Sequence, residues 1–262
     1  MNIIEIQRRI QNAKILDFGE LFNQSIELFK KTWVQGLVTI LLNMVLAIPL
    51  IMIIYIPLLF MGLADAYSGS YDSYGYYDQP EINPVTLLIM FILYLFAIFA
   101  MMTISVGLKS AFYRICKLKD LEQMGKEDYF YFFKKQYLGK TIKLSVAYMG
   151  ITIIGALLCV IPLIYAIVPL SYMFVVYAFN PDKSISEIIK LSFELGNKKW
   201  LITFGLMITT GFLATIVGAL MCGVGVYLTA SFAFLPMYLI YKEVVGFDDK
   251  NENLELKESS ML

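Results

Sequence analysis

Apolar and polar positions alternate along this chain in long blocks rather than residue by residue. Six blocks are almost wholly apolar, at about 33–63, 84–108, 142–161, 163–179, 201–221 and 224–241. Each reaches or approaches the roughly 20 apolar residues that a helix needs to cross a bilayer. The pattern predicts an all-α polytopic membrane bundle of six transmembrane helices. Prolines punctuate it: Pro49 and Pro57 should kink or break the first span near its far side, and Pro84 should open the second. Pro162 should turn the third span into the fourth, while Pro169 and Pro236 should kink the fourth and interrupt the sixth. Gly223 and Gly225 should turn the chain between the fifth and sixth. A single membrane domain, 1–242, is expected, followed by a charged, disordered tail at 243–262.

Between the apolar blocks lie amphipathic segments. At 17–33, DFGELFNQSIELFKKTW, Asp17 and Glu20 have the spacing of a capping box. Phe18, Leu21, Phe22, Leu28 and Phe29 fall roughly on one helical face, with Glu20, Asn23, Glu27 and Lys30 largely elsewhere. Such a helix can lie in the headgroup plane or pack on its neighbours, and Trp33 stands where an interfacial anchor belongs. The pattern returns near the other end. Glu20, Ser25, Glu27, Leu28, Lys31 and Trp33 match Glu187, Ser192, Glu194, Leu195, Lys198 and Trp200 at one constant offset, and the chain has only 2 tryptophans. Ser184 with Glu187 is a further capping box. A third segment, EDYFYFFKKQY at 127–137, overlays only through Phe133, Lys134, Lys135 and Tyr137 on Phe29, Lys30, Lys31 and Trp33. These similarities predict an internal repeat of interfacial helix plus transmembrane hairpin, with units of about 17–108, 125–180 and 184–242 and two or three cytoplasmic-face amphipathic helices. Residues 1–16 read as a short polar helix or tail.

Charge orients the pattern. Its 21 Lys and Arg residues all fall before the first span, at 109–143, at 183–199 or after Tyr241. With six spans these places alternate without exception, which puts both termini in the cytoplasm and suits a bacterial inner membrane. The polar start, with the first apolar run delayed to Trp33, gives no sign of a cleavable signal peptide. Formal charge is balanced at +0, so no basic footprint for nucleic acid is present.

Candidate chemistry is sparse. Histidine is absent, which removes the commonest general base and metal ligand. Cys116, Cys159 and Cys222 form no CxxC pattern; Cys159 and Cys222 fall towards the same side and could pair, but the expected role is that of small apolar residues in packed helices. The Tyr-rich loop at 64–83 carries Asp72, Asp78 and Glu81 without the alternation of a calcium loop. The six apolar spans contain no Asp, Glu or Arg. A proton-coupled path would need such a group. Asn43, about two turns past Gln35, is the most telling intramembrane polar residue, with interhelical hydrogen bonding as its expected role. No catalytic residue, cofactor or metal site is expected.

The stretch at 180–225 resembles the membrane domain that accompanies some glycerophosphodiester phosphodiesterases, and related bacterial membrane families of unknown function. Ser184, Glu187, Ser192 and the basic-Trp link Lys198, Lys199 and Trp200 carry the likeness. The resemblance implies a six-helix membrane module and no activity, because the phosphodiesterase chemistry belongs to a separate soluble domain. The expected function is that of a non-enzymatic scaffold, lipid-interacting or assembly-assisting module. Lys30, Lys31, Trp33, Lys134, Lys135, Lys198, Lys199 and Trp200 are its candidate contacts with membrane lipids, anionic ones above all. Ala214, Gly218 and Cys222 form a small-xxx-small row suited to a protein partner or to self-association. The alternative is a carrier or permease for an uncharged or amphipathic solute, working through the kinked spans.

Overall fold

A computed structural model describes residues 1–68, 84–158, 161–221 and 223–247. Its helices are α1 (Ile3–Gln11), α2 (Phe18–Ser68), α3 (Pro84–Asp120), α4 (Lys135–Leu157) and α5 (Ile161–Phe179), then α6 (Ile185–Lys198), α7 (Trp200–Leu220), α8 (Gly225–Thr229) and α9 (Leu235–Val244). Short 3-10 turns lie at Tyr131–Phe133 and Ala230–Phe234. No strand occurs among the described residues. Five helices are long and apolar enough to cross a membrane: Phe18–Pro57, Pro84–Asp120, Lys135–Leu157, Pro162–Phe179 and Trp200–Leu220.

The amphipathic segment before Trp33 is not a separate interfacial helix. Asp17 caps it, accepting the Glu20 N–H at 2.8 Å, and the helix then runs unbroken for 51 residues, through both Pro49 and Pro57. Its inward stripe continues across Trp33 at helical spacing: Leu21, Ser25, Leu28, Thr32, Gly36 and Thr39 are all buried. The Ser25, Thr32 and Thr39 hydroxyls donate to the carbonyls of Leu21, Leu28 and Gln35 at 2.7, 2.8 and 2.8 Å. Each polar group is satisfied by its own helix, so the stripe stays dry enough to pack.

Helix α3 likewise outruns its expected end at 108 and reaches Asp120. Aromatic rings make this possible for basic residues. The Lys109 Nζ lies 5.2 Å from the Phe174 ring and 4.8 Å from that of Phe234, and the Arg114 guanidinium stands 3.9 Å from Tyr131. The expected amphipathic helix at 127–137 is instead a loop, the Tyr131–Phe133 turn and the start of α4, with Phe132 fully buried. No third interfacial helix forms there.

The sixth apolar block is a chain of three pieces, α8, Ala230–Phe234 and α9, entered through Gly223 at φ 80°. Pro236, near the start of α9, has no N–H to continue a helix arriving from α8. Side-chain hydrogen bonds tie the broken segment to its neighbours. The Thr229 hydroxyl donates to Ala214 O at 2.6 Å, and the Tyr113 hydroxyl donates to Phe234 O at 3.2 Å. Two residues of the small-xxx-small row make contacts within the chain: the Ala214 carbonyl accepts from Thr229, and a Cβ on Gly218 would come within 2.6 Å of the Val226 backbone. Cys159 and Cys222, the Asp72, Asp78 and Glu81 loop and the tail from 248 lie outside the described residues.

Helix α5 is the interior element. Of its most apolar window 61% is buried, against 11% for those of α2 and α3, whose outer faces are apolar and exposed. Tyr172 and Tyr177 are fully buried in it, bonded to Thr203 at 2.7 Å and Thr141 at 2.9 Å. After the short link at 180–184, α6 runs back antiparallel along α5, so that Gly196 meets Pro169 and Asn197 meets Tyr165. Charge alternation alone would put Tyr165 and Asn197 on opposite sides of a bilayer, yet their side chains are hydrogen-bonded.

The start of α6 is set locally. Ser184 accepts the Glu187 N–H at 3.3 Å, and the Glu187 carboxylate accepts the Ser184 N–H at 2.7 Å. These bonds hold the Glu187 carboxyl below its usual range, so its share of the cap is lost as pH falls through that lowered value. Ser184→Ala should cost about 1 kcal/mol of stability, read as a lower thermal midpoint of the detergent-solubilised protein.

Candidate interaction site

The polar residues gather at one pole of the bundle, where helix ends meet. Helix α1, read from sequence as a short polar helix or tail, buries Ile6 and Ile10 and packs on α6. Its Gln7 Nε2 donates to Glu194 Oε1 at 2.6 Å, and Arg9 Nη1 donates to Val245 O at 2.7 Å. The second bond ties residue 9 to the end of α9. Asp120 closes α3 onto α9, accepting from Tyr238 at 2.8 Å and from Lys242 at 2.7 Å. Asn180, at the end of α5, donates to the Tyr241 hydroxyl at 2.7 Å. Phe247 covers this junction, its ring 4.7 Å from that of Phe179.

The loop after α3 is pinned to α2 by charge. Lys31 pairs with Glu122 at 2.9 Å, while Glu127 takes Lys119 at 2.5 Å and Gln35 at 3.1 Å. Burial raises the Glu127 carboxyl, but Lys119, Gln35 and Tyr129 outweigh it and hold the group below its usual range.

The lipid-contact candidates divide. Lys30, Lys31, Lys134, Lys135 and Lys198 are exposed, with Lys30 paired to Glu27 at 2.6 Å and Lys134 to Asp128 at 2.7 Å. Lys199 is not available: it is 7% exposed and its ammonium donates to the Lys14 carbonyl. The two tryptophans also differ. Trp33 is 44% exposed, whereas Trp200 stacks on Phe204 at 4.6 Å and donates through Nε1 to Tyr165 O at 2.9 Å. Asn43 Nδ2 donates to Ser105 Oγ at 2.9 Å, an interhelical bond between α2 and α3.

Two depressions open on the surface of the bundle. One of about 510 Å³ is lined by Lys134, Lys135 and Gln136 at the start of α4. The other, about 410 Å³, lies between α1 and α6 and is lined by Ile10, Gln11, Glu194, Asn197 and Lys198. Among the described residues no group of three His, Cys, Asp or Glu side chains could hold a metal ion. The missed contributions of α1 had a signal, the spacing of Ile3, Ile6 and Ile10.

No protein-family model, curated protein or solved structure matches this chain. The likeness at Ser184, Glu187, Ser192 and Trp200 therefore rests on those residues alone, and no family is assigned from it.

The two matched segments do share local geometry. Asp17 and Ser184 stand at the same offset as the other matched pairs, and both accept the N–H of a glutamate three residues on. Ser25 and Ser192 are both fully buried and donate at 2.7 Å to Leu21 O and Ile188 O. They part company after the lysine, where α2 continues and α6 ends.

Proposed function

We propose that this protein is a non-enzymatic, multi-pass membrane module whose polar pole lies in the cytoplasmic headgroup layer of a bacterial inner membrane and engages anionic lipid. The bond from Arg9 to Val245 O supports an even number of crossings, since it holds both described ends of the chain at one pole. In this reading the pieces from 225 to 244 together form a broken sixth crossing beside α7. The shared caps and buried serines support a two-fold internal repeat starting at Asp17 and Ser184.

The observation that carries the lipid assignment is the depression at Lys134 and Lys135. Two exposed lysines there open the N-terminus of α4, where backbone N–H groups also favour an anion. Each cation near an anionic surface contributes about 1 kcal/mol. Lys134→Gln with Lys135→Gln should therefore weaken retention of phosphatidylglycerol by about 2 kcal/mol, roughly thirty-fold, in native mass spectrometry of the gently solubilised protein. Undiminished retention would sink the assignment.

A second reading, a carrier for an uncharged or amphipathic solute, draws on the break at Ala230–Phe234. Ser231 Oγ is buried there without a hydrogen-bond partner. Broken helices with free polar groups are what transporters place at binding sites. Solute uptake into proteoliposomes discriminates the two readings.

A further inference from the structure

We infer that the depression between α1 and α6 is a binding site for a phosphoethanolamine group, the headgroup of a zwitterionic phospholipid. The inference starts from a polar imbalance. Glu194 Oε1 accepts from Gln7 at 2.6 Å, but Glu194 Oε2 is buried with no donor. A buried carboxylate oxygen left unpaired is costly, and a ligand that brings N–H donors removes the penalty.

One helical turn on, Lys198 is exposed and makes no hydrogen bond or ion pair among the described residues. Residues four apart on a helix are neighbours, so the acceptor at Glu194 and the cation at Lys198 sit side by side. Asn197, between them in sequence, accepts the Tyr165 hydroxyl through Oδ1, and its Nδ2 has no partner among the described residues. Ile10, 2% exposed, gives the depression an apolar wall. The site therefore offers one unsatisfied acceptor beside two free donors, one of them charged.

Phosphoethanolamine presents the complementary pair, an ammonium and a phosphate two carbons apart. Its ammonium would donate to Glu194 Oε2, and its phosphate would accept from Lys198 and Asn197. A simple anion would leave Glu194 unsatisfied, and a simple cation would be repelled by Lys198. Placing the group on a lipid rests on the membrane reading above; the pairing itself does not.

The test uses the full chain in nanodiscs, with phosphatidylethanolamine set against phosphatidylcholine. The two share the phosphate, but the choline nitrogen has no N–H to give. Native mass spectrometry should show about tenfold preferential retention of phosphatidylethanolamine, the discrimination expected of one charge-assisted hydrogen bond. Glu194→Gln should abolish the preference, and Lys198→Gln, on an exposed side chain that folding does not need, should weaken retention of both lipids at this site. Free O-phosphoethanolamine competing as well as the lipid would assign the site to the soluble group rather than the headgroup. Equal retention of the two lipids by the unmodified protein, or a preference that survives Glu194→Gln, overturns the inference. Loss of phosphatidylglycerol retention in the Lys134→Gln, Lys135→Gln protein is read separately, so either site can fail without the other.

Discussion

Gly196→Leu is expected to destabilise the fold by about 3 kcal/mol, the upper part of the range for overpacking a closed core. A Cβ at this position would lie 2.7 Å from Pro169 Cα, 2.9 Å from its backbone nitrogen and 2.9 Å from Cγ. Backbone atoms and a proline ring cannot rotate aside as a flexible side chain would. The cost therefore falls on the whole α5–α6 pairing, and through it on the link to Trp200. Thermal unfolding in detergent reads the loss. Gly150→Ala in α4 is the internal control, because a Cβ there meets nothing within 4 Å. That substitution should be neutral or stabilising by about 0.5–1 kcal/mol, as for a helical glycine with open space. If both variants melt alike, close approach at Pro169 is not what makes residue 196 a glycine.

Asp120→Ala should cost about 2–3 kcal/mol. The carboxylate is 17% exposed and accepts from both Tyr238 and Lys242, so it fastens the end of α3 to α9. Removing it strands the Tyr238 hydroxyl in the core and leaves the lysine unpaired. Asp120→Asn, which keeps one acceptor oxygen, should lose about half as much. Lys242→Ala alone should be milder than Asp120→Ala, because the Tyr238 bond survives it. A Lys242→Ala effect as large as that of Asp120→Ala would show that the ion pair, and not the tyrosine, holds the junction.

Sequence marked the helix starts better than the helix ends. Asp17 and Ser184 are caps whose chemistry is local: both accept the glutamate N–H that the spacing predicts, and at Ser184 the Glu187 carboxylate also returns the bond. The continuation of α2 through Trp33 was hidden because its surface changes there from half polar to wholly apolar. That change reports the surroundings of the helix, while the backbone continues unaltered. Ser25, Thr32 and Thr39 are polar by type, yet each is buried and bonded to its own helix. The apolar block stops at Leu108, and the ring faces that receive Lys109 and Arg114 beyond it are distant in sequence. The aromatic run at 127–137 had the composition of an amphipathic helix, but Phe132 is claimed by the core and Asp128 by Lys134. Of the lysines proposed to meet lipid, Lys199 could not be told from Lys198 by pattern. Only the fold turns one inward onto Lys14.

The length of α2 has a mechanical consequence. Its 51 residues make a rod of about 77 Å at 1.5 Å per residue, more than twice the thickness of a hydrocarbon core of about 30 Å. Beyond Thr39 no residue of the rod with a described side chain is buried, whereas below it Phe22 and Phe29 clasp the ring of Phe232 at 6.2 and 5.3 Å. The rod is thus a lever whose long arm is tied to α3 through the Asn43–Ser105 bond and whose short arm is gripped at Phe232. Helices meet a thinner or thicker bilayer by changing tilt. Any such swing of the long arm is delivered, with opposite sign, to the jointed segment around Phe232.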